Sequence, residues 1–383
     1  MKPKKKIFIV AGEPSGDFHA SNLVRAIRER PPEIEFFGLG GKLMKEAGVE
    51  TYFDIAELAL MGVIEILLKI GTVQRIYRGI LKKIDITRPD MVILVDYPGF
   101  NLKMAQALAK RGIPIVYFIS PQLWAWGKWR ISIIKRCVKK VVVFFKFEEA
   151  LYRQHGIPVE FIGHPLIDAV HPSVEKSEMA RRFSLNKKKT VAVLPGSRTN
   201  EIRHLLPTIL DACSIIMSEF PEVQFLISKA GNLDRSIYDP ILKQYDLDMR
   251  IVEGMVYDVM NAADFAIAVS GTVTLECAII GTPMVIMYRA NQFSWMIFRL
   301  VSNIRTVGLA NIVAGRMIVP ELIQSDATPE KIAATTLDYL RGDEKMAAAA
   351  RDLAGIKGLL GAPGAYARAA ESVLGELEKC HCG

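Results

Sequence analysis

Long hydrophobic runs are missing from this sequence of 383 residues. No uninterrupted apolar segment approaches the roughly 20 residues that a membrane-spanning helix needs. The N-terminal lysines lead into only a short apolar segment, residues 7–11, which does not fit the apolar region of a secretory signal. We therefore expect a cytoplasmic protein without a membrane span.

Cysteine is also scarce, with five residues at positions 137, 213, 277, 380 and 382. Three of them lie inside apolar segments, which indicates reduced, buried thiols and not a disulfide framework. Cys380, His381 and Cys382 fall short of the ligand set of a zinc site. We predict no bound metal and no cofactor.

The glycine motifs of two common nucleotide-binding loops are absent. Residues 12–17, GEPSGD, lack the Gly-Lys-Ser/Thr ending of a P-loop, and Leu43 stands where a dinucleotide fingerprint has its third glycine. No nucleic-acid-binding module is recognisable either. The net charge of +8 is therefore interpreted as an attraction to phosphorylated substrates or an anionic membrane surface.

What the sequence does contain is an alternation of short apolar segments with helical spacing. These segments are residues 7–11, 35–38, 91–95, 114–119 and 140–145 in the first half, and 191–194, 224–228, 249–252, 265–269 and 284–287 in the second. The pattern predicts parallel, doubly wound sheets with helices between the strands. The chain exceeds the usual size of one hydrophobic core, so we expect two α/β domains, followed by a helical tail.

Residues 190–202, TVAVLPGSRTNEI, place a small-residue turn between a predicted strand and a predicted helix. Free N–H groups and the helix dipole at such a turn attract anions. Arg198 adds a bidentate phosphate donor beside Gly196 and Ser197. We interpret this turn as part of the diphosphate site of a nucleotide-sugar enzyme; the alternative is an ordinary turn with a solvated arginine.

Residues 270–276, SGTVTLE, repeat this arrangement of strand, small-residue turn and helix. Ser270, Gly271 and Thr272 supply backbone N–H groups and hydroxyls suited to a diphosphate. Glu276 is predicted to accept ribose hydroxyls. The alternative is a solvated helical glutamate, although apolar residues 278–280 favour burial.

Carboxylates follow two predicted strands of the first half. Asp96, before a rigid Pro-Gly turn, suits a general base that deprotonates an acceptor hydroxyl. Glu13, Ser15 and Asp17 follow the first strand, where they could hold substrate hydroxyls. The alternatives are helix caps, by Asp17 for the helix that follows it and by Asp96 for a helix starting near Asn101.

Two segments, residues 55–83 and 292–305, combine apolar and basic residues in a way that suits a lipid surface. The alternative is a pair of buried helices. The predicted membrane or acyl-chain contacts in these segments are Met61, Val63, Ile66, Leu67, Trp295 and Phe298.

Eight motifs resemble those of a known family, in the same order. They are AGEPSGD at 11–17, LMGVIEIL at 60–67, VDYPGFN at 95–101, SPQLWAW at 120–126, FIGHPLID at 161–168, LPGSR at 194–198, SGTVTLE at 270–276 and LANIVAGR at 309–316. This combination resembles the lipid-A-disaccharide synthases over about residues 6–345. Pro14 and Leu123 depart mildly from the family pattern, and the tail matches poorly.

The resemblance implies two facing Rossmann-like domains of the GT-B type, with the active site in the cleft between them. The expected ranges are 1–168 for an acceptor and lipid domain, 169–355 for a UDP-sugar domain, and 356–383 for a tail that packs back across the domains. The implied reaction is an inverting transfer of 2,3-diacylglucosamine from its UDP conjugate to 2,3-diacylglucosamine 1-phosphate. An alternative is a GT-B transferase or epimerase that acts on an unacylated UDP-sugar.

Carried over residue by residue, the resemblance implies that Asp96 is the base. The UDP contacts would come from Gly196, Ser197, Arg198, Ser270, Gly271, Thr272, Glu276 and Asn311, and the acceptor contacts from Glu13, Ser15, Asp17 and Asn101. The expected location is the inner face of the inner membrane, as a peripheral protein. A homodimer is left open.

Overall fold

A computed structural model describes residues 4–57, 70–121, 123, 129–289 and 306–379. The chain divides into two compact units. Unit 1 comprises Met1–Pro165 and Ala362–Gly383, and unit 2 comprises Leu166–Gly361. The C-terminal helix therefore belongs to the same unit as the N-terminus. The roles predicted for the three sequence ranges stay predictions.

Unit 1 contains a seven-stranded parallel sheet with the order β3-β2-β1-β4-β5-β6-β7. Its strands are β1 (Lys5–Ala11), β2 (Ile34–Gly40), β3 (Glu50–Asp54), β4 (Met91–Val95), β5 (Ile115–Phe118), β6 (Lys140–Val143) and β7 (Val159–Phe161). The order reverses between β1 and β4, and ligands of open α/β sheets bind at such a switch point.

Both faces of this sheet are buried, as the apolar strand sequences predict. Ile7 and Ile9 of β1 pack in one core cluster, whereas Phe8 and Val10 pack in the other. The period of two in a strand sends alternate side chains to opposite faces. Helices must cover both faces, as in a doubly wound fold.

The helices of unit 1 that precede Pro165 lie between its strands. They are α1 (Pro14–Arg28), α2 (Lys42–Glu46), α3 (Ile70–Thr87), α4 (Pro98–Ala109), α5 (Arg130–Cys137) and α6 (Lys146–Gln154). A short 3₁₀ turn spans Ile55–Glu57. Helix α1 begins at Pro14, because proline pre-sets the backbone angle of a first helical residue.

Unit 2 contains a six-stranded parallel sheet with the order β10-β9-β8-β11-β12-β13. Its strands are β8 (Lys189–Leu194), β9 (Val223–Lys229), β10 (Met249–Glu253), β11 (Phe265–Val269), β12 (Met284–Tyr288) and β13 (Glu321–Ile323). The order again reverses beside the first strand, between β8 and β11.

The described helices of unit 2 include six of fewer than ten residues and three longer ones. They are α7 (Leu166–Ala169), α8 (Lys176–Arg182), α9 (Thr199–Glu219), α10 (Asp239–Leu242), α11 (Val256–Ala262), α12 (Thr272–Ile280), α13 (Leu309–Ala314), α14 (Pro329–Arg341) and α15 (Asp343–Leu359). Short 3₁₀ turns span Arg235–Ile237 and Gln324–Asp326.

The last helix, α16 (Ala365–Lys379), returns to unit 1 and packs beside α1. Its buried residues Ala369, Val373 and Leu377 join the same core cluster as Leu23 of α1. The His19 Nδ1 atom lies 2.8 Å from the Tyr366 hydroxyl, which adds a polar contact to this apolar interface.

Candidate functional site

Asp96 lies where β4 ends, in a turn that strains the backbone. Asp96 and Tyr97 both have positive φ angles, 46° and 47°, which non-glycine residues rarely adopt. Helix α4 then begins at Pro98, with Tyr97 as its N-cap residue. The alternative that Asp96 caps a helix starting near Asn101 is therefore wrong, because the helix starts earlier and its cap position is Tyr97.

Hydrogen bonds from two sides hold this turn. The Asp96 N–H donates to the carbonyls of Phe118 and Ile119, each at 3.2 Å. The Asp96 carbonyl accepts from the Asn101 Nδ2 group at 2.7 Å and from the Tyr117 hydroxyl at 2.8 Å. These bonds fix the direction in which the Asp96 side chain leaves the sheet.

Asn101 is fully buried, and its Nδ2 group also donates to the Val95 carbonyl at 3.0 Å. This placement makes Asn101 a positioning residue for Asp96. Its predicted contact with the acceptor stays a prediction.

Gly12 leaves space for the Tyr97 side chain, next to Asp96. A Cβ atom at Gly12 would lie 2.1 Å from the Cδ1 atom of the Tyr97 ring. The Tyr97 ring also stacks on Phe100, with ring centroids 5.7 Å apart. The roles of Gly12 and Tyr97 were not predicted from the sequence, although Gly12 lies in the motif at 11–17 and Tyr97 in the motif at 95–101.

The environment of Asp96 suits a general base that works near neutral pH. Burial raises the pKa of the Asp96 carboxyl to about 6, and the negative charge of Glu13 adds to this increase. A base with a pKa close to the working pH combines a large ionised fraction with good proton affinity. Perturbed carboxylates of this kind are concentrated at functional sites.

Three polar residues were predicted around the turn after β1. Glu13 and Ser15 are exposed at the start of α1, where they can meet a ligand. Asp17 is buried, and its carboxylate accepts hydrogen bonds from the N–H groups of Gly41, Leu43 and Met44 at 2.7, 3.0 and 3.1 Å. Asp17 thus caps α2 and not the helix that contains it, which corrects the alternative drawn from the sequence.

In unit 2 a cavity of about 460 Å³ lies at the carboxyl ends of β8, β9, β10 and β11. The two turns predicted to bind a diphosphate, residues 195–198 and 270–273, both line it. Its size falls in the range of small-molecule sites, and its position agrees with the rule for ligands of parallel sheets.

The turn after β11 leads directly into the N-terminus of α12. Among the described residues, no side chain caps the first turn of this helix, and Thr272 and Val273 of that turn line the cavity. The Ser270 hydroxyl donates to the Val307 carbonyl at 3.0 Å, and the Leu309 N–H donates to the Thr274 hydroxyl at 3.1 Å. These two hydrogen bonds fix the turn, and the backbone N–H groups of Gly271 and Thr272 remain available to bind an anion.

The turn after β8, residues 195–198, does not have the free N–H groups that the sequence predicts. Glu201 accepts hydrogen bonds from the N–H groups of Ser197 and Arg198, at 3.0 and 3.2 Å, and from the Arg198 guanidinium at 3.0 Å. Gly196 has a φ of +105°, and a Cβ atom there would lie 2.4 Å from the Glu201 carboxylate. The Glu201 carboxylate therefore engages the N–H groups of this turn. The sequence had led us to expect these N–H groups to be free, and that expectation is wrong.

Glu276 lines the same cavity from α12. Burial raises the pKa of its carboxyl, while a hydrogen bond from the Tyr257 hydroxyl, at 3.3 Å, partly offsets this increase. The alternative of a solvated helical glutamate is not what the structure shows, because Glu276 is largely enclosed.

Asn311 is buried in α13, and its side chain makes four hydrogen bonds within unit 2. Its Nδ2 group donates to the Val319 carbonyl and to Glu321, and its Oδ1 atom accepts from the N–H groups of Ile318 and Val319. Glu321 in turn accepts from the N–H groups of Val307 and Gly308. Asn311 therefore supports the segment that holds Ser270, and its predicted UDP contact stays a prediction.

Comparison with known proteins adds a decisive observation. The profile of a family described as lipid-A-disaccharide synthetase matches residues 7–360. The chain is 42% identical to the lipid-A-disaccharide synthase of Syntrophus aciditrophicus, over 99% of both chains. It belongs to the lipid-A-disaccharide synthase family. The Geobacter sulfurreducens lipid-A-disaccharide synthase is 40% identical, with 98% of both chains covered.

Solved structures agree on the fold. The UDP-GlcNAc 2-epimerase of Neisseria meningitidis, solved with bound UDP-GlcNAc, matches with a TM-score of 0.63 and 14% identity, over 98% of this chain and 100% of that one. At this identity the likeness shows the fold alone. It confirms the predicted architecture of two parallel-sheet α/β domains of the GT-B type.

Several motifs of the lipid-A-disaccharide synthase family lie at the ends of parallel strands. Residues 11–17 follow β1, 95–101 follow β4, 194–198 follow β8 and 270–276 follow β11. The motif at 60–67 lies outside the described residues, as do Met61, Val63, Ile66, Leu67, Trp295, Phe298 and the Cys380–Cys382 tail. Within the described residues, no group of three or more His, Cys, Asp or Glu side chains could hold a metal ion.

Proposed function

We propose that this chain transfers 2,3-diacylglucosamine from its UDP conjugate to the 6-hydroxyl of 2,3-diacylglucosamine 1-phosphate. The products are the β-1,6-linked lipid A disaccharide 1-phosphate and UDP. The observation that carries this proposal is the 42% identity to a lipid-A-disaccharide synthase over 99% of both chains. That match favours the acylated substrate over the alternative of an unacylated UDP-sugar.

Unit 2 holds the donor in this proposal. The uncapped start of α12 lines the cavity, and its N–H groups and helix dipole stabilise the diphosphate. Glu276, enclosed beside the same cavity, accepts hydrogen bonds from the ribose hydroxyls. Arg198 lies at the rim with its side chain 82% exposed, so that it can turn from Glu201 to the diphosphate.

Unit 1 holds the acceptor and supplies the base. Asp96 takes the proton of the acceptor 6-hydroxyl, and the oxygen attacks the anomeric carbon of the donor. The bond between that carbon and the diphosphate oxygen breaks, and its electron pair leaves with UDP, so the configuration at the anomeric carbon inverts. Preorganised N–H groups at α12 stabilise the charge that develops on the leaving diphosphate.

The acceptor is oriented by Glu13 and Ser15, which are exposed beside the Asp96 turn. Asp17 and Asn101 act indirectly in this proposal, because their hydrogen bonds hold α2 and the Asp96 backbone.

We also propose that the protein works as a peripheral protein on the cytoplasmic face of the inner membrane. Diacylated substrates reside in a bilayer, and a chain with a net charge of +8 is attracted to anionic lipid. Large apolar side chains are exposed on unit 1, including Ile86 at 67% and Trp129 at 66%. No helix in the described parts of the chain has the length and apolar character needed to cross a membrane.

The membrane proposal is tested by sedimentation with vesicles. The protein should pellet with vesicles that contain anionic lipid and stay in the supernatant with zwitterionic ones. Equal recovery in the supernatant with both would contradict it.

The reaction is tested by measuring UDP release from the diacylated donor, with and without the diacylated 1-phosphate acceptor. We expect release only when both are present, together with a β-linked disaccharide product. Release without acceptor, or epimerisation of an unacylated UDP-sugar in place of transfer, would contradict the proposal.

A further inference from the structure

Lys229 is a buried cation at the end of β9. It was not among the site residues predicted from the sequence. Its side chain is only 4% exposed, yet it lines the cavity of unit 2. Lysine is rarely buried to this degree unless its charge is paired. The partner is Glu253 at the end of β10, whose Oε1 atom lies 2.7 Å from the Lys229 Nζ atom.

The sheet order places this ion pair next to the predicted diphosphate site. Strand β9 lies between β8 and β10, and Lys229 is its last residue. Lys229 therefore lies at the carboxyl end of the strand next to β8, which leads into the 195–198 turn. The loop after β9 also contacts that turn, because the Asn232 Nδ2 group donates to the Ser197 carbonyl at 3.3 Å.

The ammonium group of Lys229 has hydrogen-bonding capacity left. Besides Glu253, its acceptor among the described residues is the Ala230 carbonyl, at the long distance of 3.5 Å. An ammonium group carries three donors. At least one of them can therefore point to a ligand in the cavity.

The two partners of the pair differ in their access to water. Glu253 has a side chain that is 60% exposed, whereas Lys229 is enclosed. Water can solvate the glutamate when its contact is broken, but the ammonium needs another anion. A diphosphate in the cavity supplies that anion, and charge-assisted hydrogen bonds are strong where water is excluded.

The other cation that lines the cavity is less available in this structure. Arg198 is largely exposed and engaged by Glu201. Glu201 and Glu276 also line the cavity, so among the described lining residues two carboxylates offset the formal charges of the two cations before the nucleotide binds. A diphosphate would then depend on a cation that is already enclosed.

We propose that Lys229 binds the donor diphosphate directly, and that it exchanges Glu253 for a phosphate oxygen when the nucleotide binds. This inference rests on the proposed function, since it concerns the same donor site. Glu253 holds the ammonium in place and competes with the diphosphate. The two members of the pair therefore have opposite effects on nucleotide affinity.

The test is calorimetric titration of uridine, UMP and UDP into the wild type, Lys229→Met, Glu253→Gln and the double variant. Lys229→Met should weaken UDP binding by about tenfold or more, as expected for a lost charge-assisted bond, and leave uridine within about twofold. Glu253→Gln should tighten UDP binding severalfold, and this gain should disappear in the Lys229→Met background. Lys331→Met, which removes an exposed lysine paired with Asp326, is the matched control and should change nothing.

Three results would overturn the inference. Equal weakening of uridine and UDP by Lys229→Met would place the ammonium at the nucleoside. Weaker or unchanged UDP binding in Glu253→Gln would show that the ion pair is purely structural. Because Glu253 is exposed, this variant keeps the test valid even if Lys229→Met fails to fold. If the wild type binds uridine and UDP equally well, the donor site itself is wrong, which is a failure of the proposed function and not of the lysine's role alone.

Discussion

Asp96 is the proposed general base, and its surroundings suit it to that role. Burial and the charge of Glu13 raise the pKa of its carboxyl to about 6, so the residue is mostly ionised at neutral pH and still binds a proton readily. The sequence placed Asp96 at a strand end before a Pro-Gly turn, which was enough to nominate it. The raised pKa could not be predicted, since it depends on packing between segments far apart in the chain.

Glu13→Gln should lower the pKa of Asp96, because it removes a negative charge that opposes ionisation. The acid limb of the pH profile of kcat/KM should therefore move to lower pH than in the wild type, whatever happens to the maximal rate. Glu33→Gln, at an exposed residue of the same unit paired with Lys4, serves as the control and should leave the limb in place. An unchanged limb in Glu13→Gln would show that the two carboxylates are not coupled.

The residue roles that were not predicted from the sequence have two different physical reasons. Tyr117 is buried within β5, and its hydroxyl supports the Asp96 carbonyl. Glu201 fills the anion-binding turn after β8. The contact of Tyr117 with Asp96 joins two strands that are distant in the chain, so no local pattern predicts it. Glu201 lies in the first turn of α9, beside the N–H groups that it engages, so its capping role has a local pattern that was overlooked.

Strand ends and helix starts are the elements that build both halves of the candidate site. The central strands of each sheet were predictable because they are buried on both faces and read as continuous apolar segments. Of the edge strands in the described residues, β10 was predicted, whereas β3, β7 and β13 were not. Those three are short and only partly buried or exposed along their length, so they do not form continuous apolar segments.

The fit between the turn after β1 and the turn after β4 can be tested with two glycine substitutions. Gly12→Ala places a methyl group 2.1 Å from the Tyr97 ring, so the strained Asp96 turn must shift. We expect a loss of about 1–3 kcal/mol in unfolding free energy, as for overpacking, together with a clear fall in kcat.

Gly99→Ala is the matched control for that substitution, because a Cβ atom at Gly99 meets nothing within 4 Å. Chemical denaturation and initial rates of both variants provide the comparison. Equal behaviour of the two variants would mean that the packing of Tyr97 does not position Asp96.

The interface between α1 and α16 should make the protein sensitive to acid. Burial lowers the pKa of His19 to about 4. Burial also lowers the pKa of His164 to about 3, and the charge of the nearby His19 adds to this decrease. A histidine whose folded pKa lies below its unfolded value of 6.5 stabilises the fold above pH 6.5, and this stability is lost as the pH falls towards the folded pKa. For His19 alone the loss at pH 5 is about 2 kcal/mol.

Melting temperatures measured between pH 7.5 and pH 4.5 test this expectation. His19→Gln should flatten the pH dependence relative to the wild type, whereas His171→Gln, at an exposed histidine, should follow the wild type. If His19→Gln keeps the full acid sensitivity, other groups cause it.

At the scale of the whole molecule, length and pattern predicted two α/β domains, and the chain divides into two compact units. The membership of the tail could not be predicted in the same way. The apolar residues of α16 would suit many surfaces, and only the fold shows that they cover α1 in unit 1. The substrate identity likewise came from the family match, because the geometry of each unit supports a nucleotide-sugar transferase without naming its acyl groups.

The central claim is that Asp96 of unit 1 acts on an acceptor while unit 2 holds the UDP donor. The most direct test measures Asp96→Asn for both UDP affinity and single-turnover disaccharide formation. We expect UDP affinity to be retained within about twofold and product formation to fall by a factor of roughly 10² to 10⁴, as for the loss of a general base. Product formation at the wild-type rate, or a loss of UDP affinity that accounts for the defect, would contradict it.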